Sequence, residues 1–365
     1  VTPAEIAEIR PRLVDFAGRM LAELPRADQQ SKGEYVVDDT GFVKDGTASP
    51  CVARQYSGTL GKTGNCQIGV SVQMVTEVAS LAANWRLFCP KSWDDTGIDD
   101  VEQAQRVRRR RERAKIPDGV RHREKWRLAL DMLDQMTDPD NPKVWGGPRL
   151  PVVGDSGYGD ATEFRLGLDE RGFDYVLEVD STATAHPADA QPVTAAYTGR
   201  GRRPRPAYPD KPSTLKDLAI AAGRRAARQV TWRQGTKATK GNPTAKMRSR
   251  FLAIRVRPAN RNIARAEDGS LPEVWLIAEW PPGQPEPVKY WLSNMGPRTA
   301  LKTMVRLGKL RWRIEHDYRE LKTGLGLDHF EGRSFIGWHR HVTLAVLAQA
   351  FCTLLRLDPK ADAPA

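Results

Sequence analysis

Taken as a pattern of apolar and polar positions, the chain opens with a helical period. Ile6, Ile9, Leu13, Phe16 and Met20 recur at three- and four-residue spacing, and Thr2 with Glu5 forms a capping box ahead of them. This predicts one amphipathic helix over 2–24. The period then shortens to two. A short strand, Tyr35–Val37, is expected to end in Asp38-Asp39-Thr40-Gly41. Cys66–Val75 alternates, with Ile68, Val70, Val72 and Met74 on one face, and Ala79–Phe88 is closed by Pro90. Gly58, Gly61 and Gly64 lie between the first two runs. Three strands in series with turn residues between them predict an antiparallel meander.

The helical period returns in Val101–Lys115, which is crowded with arginine, and in Arg121–Met136, where Trp126, Leu130 and Leu133 mark an apolar face. A strand, Leu150–Val153, runs into Gly154-Asp155-Ser156-Gly157-Tyr158-Gly159. A helix, Ala161–Asp169, and a strand, Tyr175–Val179, follow. A meander followed by strand–helix–strand is the order of an α/β, RNase H-like fold: a mixed sheet flanked by helices that displays acids from strand ends. From Ala185 to Gly296 proline, glycine and basic residues become dense, and Arg250–Val256, Val274–Trp280 and Val288–Leu292 are strand-like. From Pro297 to about Leu357 the pattern is helical. The expected organisation is an N-terminal helix (1–33), a first core segment (34–184), a basic β-rich insertion (185–296), a last core segment with a Glu-bearing helix (297–357) and a flexible tail (358–365).

Charge changes this picture. The 365 residues carry a net +12, distributed unevenly: from Arg200 to Arg265 there are 19 Lys and Arg against Asp210 and Asp217, so this segment holds +17 and the remainder −5. A basic module on a slightly acidic body favours a polyanionic partner, nucleic acid before a membrane surface. No apolar run of about 18 residues exists, which argues against a membrane span. The four cysteines lack zinc-ligand spacing, so reduced thiols in a cytoplasmic setting are expected.

The candidate chemistry rests on acids. Arg311, Glu315, Tyr318 and Lys322 are spaced by four, three and four, which places them on one helix face about 16 Å long. Such a face is either a salt-bridged surface or the wall of an active site. Asp38 or Asp39 at one strand end and Asp155 at another offer oxygen ligands suited to Mg2+. Two such metals can activate a nucleophile and stabilise a leaving oxygen. Taken singly, Asp-Asp-Thr-Gly and Gly-Asp-Ser-Gly also read as turns or caps. The arginine run Arg106–Arg113 reads as a solvated helix, and His339 and His341 as surface or packing residues.

These motifs carry a resemblance. The chain resembles bacterial insertion-sequence DDE transposases of the Y-R-E-K type, whose signature is Y-x2-R-x3-E-x6-K. Arg311, Glu315 and Lys322 match it, while Gly308 occupies the tyrosine position. Asp38–Phe42, Arg54–Gly61 and Val153–Asp160 are also similar to that family, and the likeness spans about residues 35–357. The resemblance implies a catalytic, metal-holding triad of Asp38, Asp155 and Glu315, with Asp39 as the alternative first acid. It implies two Mg2+ ions, with Mn2+ as substitute, and DNA as partner in the form of element ends and target. Arg311, Tyr318 and Lys322 are expected to contact DNA near the scissile phosphate. Trp232, Arg233, Lys237 and Lys240 are expected to contact it from the insertion, Trp232 by stacking on an extruded base or, alternatively, as a packed strand residue.

The implied function is metal-dependent cleavage at insertion-sequence ends and strand transfer into target DNA, by a homodimer on DNA at the bacterial nucleoid. Only 37 residues precede Asp38, so a shortened end-recognition region is expected. That keeps two alternatives open: a truncated, non-catalytic DNA-binding remnant that modulates transposition, and an RNase H-like nuclease.

Overall fold

The computed structural model describes residues 33–58, 60–76, 79–137, 147–235, 239 and 242–357. The expected helix over 2–24 and the tail lie outside these. The chain divides into two units, one built from residues up to Leu150 together with those from Trp312 onward, the other from Pro151–Arg311.

In the first unit four antiparallel strands are arranged around the longest. β3 (Lys62–Val75) pairs with β1 (Glu34–Val43) along one edge; β2 (Ala53–Ser57) and then β4 (Ser80–Leu87) occupy the other. The meander is as expected, but β1 is ten residues long. Asp38 and Asp39 therefore lie mid-strand, opposite Ser71 and Val70, and not at a strand end. The Asp-Asp-Thr-Gly run reads locally as a turn. The ladder to β3 carries it through as strand instead, and every residue from Cys66 to Val75 is buried. The two faces of β3 differ: Ile68, Val70, Val72 and Met74 form an apolar face, and Gln67, Gly69, Ser71 and Gln73 a polar one. Burial of both faces reflects helices on each side.

Helix α1 (Val101–Arg113) starts where Asp100 accepts a hydrogen bond from the Gln103 amide at 2.9 Å. Helix α2 (Lys125–Thr137) begins four residues later than the pattern suggests. The reason is local: Arg121 is ion-paired to Asp95, and the His122 amide donates to Asp94 at 2.7 Å, which holds that stretch extended. The expected solvated arginine helix is also corrected in part. Arg111 is buried, donating to the carbonyls of Trp93, Pro117 and Val120 at 2.7, 3.1 and 2.6 Å.

In the second unit β5 (Val152–Gly154) runs parallel to β6 (Tyr175–Val179), and the other pairings are antiparallel, giving a mixed sheet. Its order is β5-β6-β12-β11-β10-β7-β8, with β9 also on β10. Here β7 is Thr184–Pro187, β8 Ser213–Thr214, β9 Arg228–Gln234, β10 Lys246–Pro258, β11 Val274–Glu279 and β12 Lys289–Ser293. Two helices, α3 (Ser156–Gly159) and α4 (Thr162–Glu170), follow β5, and α5 (Leu215–Ala222) packs on β7 and β10. Leu215, Ala219, Leu252, Val256, Leu276 and Leu292 form the core under α5. Strands β7, β8 and β9 and helix α5 are absent from the sequence expectation: β7 and β8 are four and two residues long, and β9 and α5 are short runs inside the basic, Pro- and Gly-rich stretch.

The expected continuous helical region after Pro297 is broken. Helix α6 (Leu301–Leu310) belongs to the second unit, while α7 (Trp312–Arg319), a π-helical turn (Glu320–Gly324) and α8 (Phe335–Leu357) belong to the first. The position that departs from the signature has a packing reason. A Cβ on Gly308 would lie 3.1 Å from the indole nitrogen of Trp291, so any larger residue there needs the indole to shift by a few tenths of an ångström, and glycine needs no shift. Among the described residues, no helix is long and apolar enough to cross a membrane.

Candidate active site

The ladder of β1 on β3 sorts the two adjacent aspartates. Side chains alternate along a strand, so Asp38 and Thr40 point to the polar face of β3 and Asp39 to the apolar one. Asp39 is ion-paired to Lys125 at the start of α2, 2.9 Å away. Asp38 is 9% exposed, and one of its carboxylate oxygens accepts from the Asp39 amide at 2.7 Å.

The segment bearing Glu315 lies over the Asp38 face. Ser71, directly opposite Asp38, is hydrogen-bonded through its hydroxyl to that of Tyr318 at 2.8 Å. Tyr318 is buried. Its loss of solvent, with Asp38 nearby, raises the phenol well above its ordinary pKa. One turn on, the Lys322 ammonium donates to the Thr40 hydroxyl and the Gly41 carbonyl, each at 2.8 Å. Burial draws Lys322 below its usual value, with Asp328 opposing. Glu315 is exposed on α7.

The one-face argument for this segment needs correction, because the helix is not α-helical throughout. From Glu320 the backbone follows i to i+5 bonding, the Leu325 amide donating to the Glu320 carbonyl at 3.2 Å. A π turn delays rotation, and Lys322 within it reaches β1. Arg311 stands between α6 and α7 in the second unit, half-buried.

Asp155 follows β5 directly and is half-buried. Its backbone carbonyl accepts from the amides of Tyr158 and Gly159 at 3.1 and 2.8 Å, which turns the chain sharply after the strand. The motif glycines have separate jobs. A Cβ on Gly159 would come within 1.9 Å of the Glu178 carbonyl oxygen, so only glycine lets α3 rest on β6. A Cβ on Gly157 would stand 3.1 Å from the Asp155 carboxylate, so glycine there keeps that carboxylate's flank open. Arg165 from α4 is buried and donates to the Gly159 carbonyl and, at 3.0 Å, to the Thr162 hydroxyl, fixing the turn from below.

Each of Asp38, Asp155 and Glu315 offers carboxylate oxygens, the donor type that a hard divalent cation takes. Within the second unit, Gly157 leaves space beside the Asp155 carboxylate that a side chain would fill. A second set of donors lies on α7 and the π turn: atoms of His316, Asp317 and Glu320 fall within 4.8 Å of one another. That set is already engaged, since Glu320 is 3.2 Å from Arg356 and 3.6 Å from His316. Burial raises the pKa of Asp317.

In the basic region, Trp232 on β9 is half-buried, edge-on to Phe251 at 5.8 Å, with the Lys309 ammonium 5.0 Å from its ring centre. Arg233 is half-buried beside it. Lys237 and Lys240 lie outside the described residues. Sequence reasoning missed Ser71 and Gln73. The signal for them was available: a polar alternation of Gln, Gly, Ser and Gln inside a strand that is apolar on its other face.

A family model described as DDE superfamily endonuclease matches residues 10–239 of this chain. The matched span includes Asp38 and Asp155 and ends before Glu315. No curated protein matches the chain.

Proposed function

The chain belongs to the DDE superfamily of endonucleases, and on that premise we propose that it is an insertion-sequence transposase. It would cut DNA at the element ends and join the freed 3′-hydroxyl to target DNA. Membership brings DNA as substrate and divalent metal as requirement; the transposase activity and the residues that carry it are our reading.

Asp38, Asp155 and Glu315 would hold Mg2+, or Mn2+ in its place. When bound, such ions supply an activated oxygen nucleophile and stabilise the leaving oxygen. Lys322 and Arg311 would steady backbone phosphates, Arg311 through its paired donors. The Tyr318–Ser71 hydrogen bond would hold the Glu315 helix in register with the strand of Asp38. Trp232, Arg233, Lys237 and Lys240 would contact DNA from the basic region, and two copies would pair two ends.

The observation that supports this reading most is the sorting of Asp38 from Asp39. Asp39 is neutralised by Lys125, whereas Asp38 shares its face with Tyr318 and Lys322 from the Glu315-bearing segment. That favours Asp38 as the first acid. The test is cleavage and strand joining of DNA carrying the element's ends, with Mg2+ or Mn2+. Wild type is expected to cut and join, and Glu315→Gln to lose both by at least about 100-fold, as for removal of a group acting in the transition state. Cutting without joining would leave a nuclease. Binding without cutting by either protein would leave a DNA-binding remnant.

A further inference from the structure

Between Asp189 and Asp210 the chain has no acid, and four of the six residues Arg200–Arg205 are arginine. This segment is a loop pinned at its base. Val193 and Ala207 exchange both backbone hydrogen bonds, at 2.8 and 3.1 Å. Tyr208 next to them stacks on His186 at 4.0 Å and accepts through its hydroxyl from the Leu271 amide at 2.9 Å.

The tip is shaped by glycine. Gly199 and Gly201 flank Arg200 with φ of +82° and +79°, and neither has a neighbour within 4 Å of where a Cβ would stand. Glycine is needed there for backbone conformation and not for space. Pro204 and Pro206 fix φ on the far side and offer no N–H. Tyr197 braces the tip, its hydroxyl donating to the Gly201 carbonyl at 3.2 Å, with the Arg203 guanidinium 5.8 Å from its ring centre. Arg200, Arg202, Arg203 and Arg205 are all exposed, and no carboxylate among the described residues is paired with them.

We propose that the loop 194–206 inserts its arginines into the minor groove of DNA, with preference for A·T-rich sequence. The inference rests on the reading that this protein acts on DNA. A major groove about 12 Å wide takes a helix or a two-stranded ribbon, and the loop tip is neither. A minor groove about 6 Å wide takes a single chain, most easily one whose residues beside the inserted arginine lack Cβ atoms. A·T tracts narrow that groove and deepen its negative potential, which draws arginine. Concentrating four unpaired guanidinium groups on a pinned loop is electrostatically unfavourable without a polyanion to receive them.

The test uses the full chain and a variant combining Arg200→Ala, Arg202→Ala, Arg203→Ala and Arg205→Ala. Both are titrated with A·T-rich and G·C-rich duplexes of equal length, with and without netropsin, a small ligand of A·T minor grooves. Wild type should prefer the A·T-rich duplex and lose that preference when netropsin is present. The variant should bind the A·T-rich duplex about 10-fold or more weakly, with a salt slope smaller by up to about 3.6. A variant that keeps the preference and the netropsin sensitivity overturns the proposal. So does a wild type indifferent to both, or one that binds single-stranded RNA as tightly as A·T-rich duplex. Cleavage is followed on the same DNA. If wild type shows the netropsin-sensitive preference but never cuts, the transposase reading fails and the loop assignment stands. If it cuts and the variant binds unchanged, the loop assignment alone fails.

Discussion

Two runs of arginine sit in this protein, and they are put to opposite uses. In α1, Arg110 lies 3.7 Å over the Trp93 ring and donates to the Thr47 carbonyl at 3.0 Å. Its neighbour Arg111 is buried, saturated by three backbone carbonyls and 3.4 Å from the Asp95 carboxylate. In the loop at 200–205 the guanidinium groups meet no carboxylate among the described residues and stand in solvent. The lesson is that a basic run acquires its role from what converges on it. Where the turn after β4 and the loop after α1 aim carbonyls at one point, arginine is a structural cross-link. Where the backbone is pinned at its base and open at its tip, arginine is available to a partner.

The largest effect that would test this contrast is on stability. Arg111→Met should destabilise the first unit by about 3–5 kcal/mol, because it leaves buried carbonyls without a donor and removes a buried ion-pair partner. Denaturant titration reads this, and a loss below about 1 kcal/mol would put the two arginine runs in one class. The next effect is on pH dependence. Burial alone would push Asp94 and Asp95 upward, but hydrogen bonds outweigh it, from Thr96 and His122 to Asp94 and from Arg121 and Arg108 to Asp95, and hold both below the usual carboxylate value. A lowered folded-state pKa means the unfolded chain binds more protons as acid is added. The stabilisation is therefore present above about pH 4 and lost as pH falls through the lower folded value. Wild-type Tm should fall more steeply below about pH 4 than that of Asp95→Asn; parallel slopes would show that this network contributes nothing. The smallest effect is expected in the loop. The four-alanine variant should unfold within about 0.5 kcal/mol of wild type, as exposed substitutions usually do. A larger loss would show those arginines to be structural after all.

The strand pattern made much of the first unit legible, since β3 and β4 alternate and β-branched residues fill one face. The acids were legible as candidates because each sits in a recognisable local run. The length of β1 was not. A stretch such as Asp-Asp-Thr-Gly has turn chemistry in isolation, and only pairing to ten residues of β3 extends it as strand. The basic region was harder still. Strands β7 and β8 are four and two residues long, and β7 and β9 are placed by long-range pairing to β10, which no local period records.

By itself the sequence determined the mixed strand-and-helix order, the basic segment and which carboxylates are candidates, because these depend on residue type and spacing along the chain. The tertiary structure decided which of two adjacent aspartates faces the Glu315-bearing segment, since a strand presents its two faces only once helices cover them. It decided that Tyr318 reaches Ser71 on β3 and that Lys322, inside the π turn that breaks the α-helical period, reaches β1. It also decided which arginines are spent inside the fold, since carbonyls from distant loops converge only after folding.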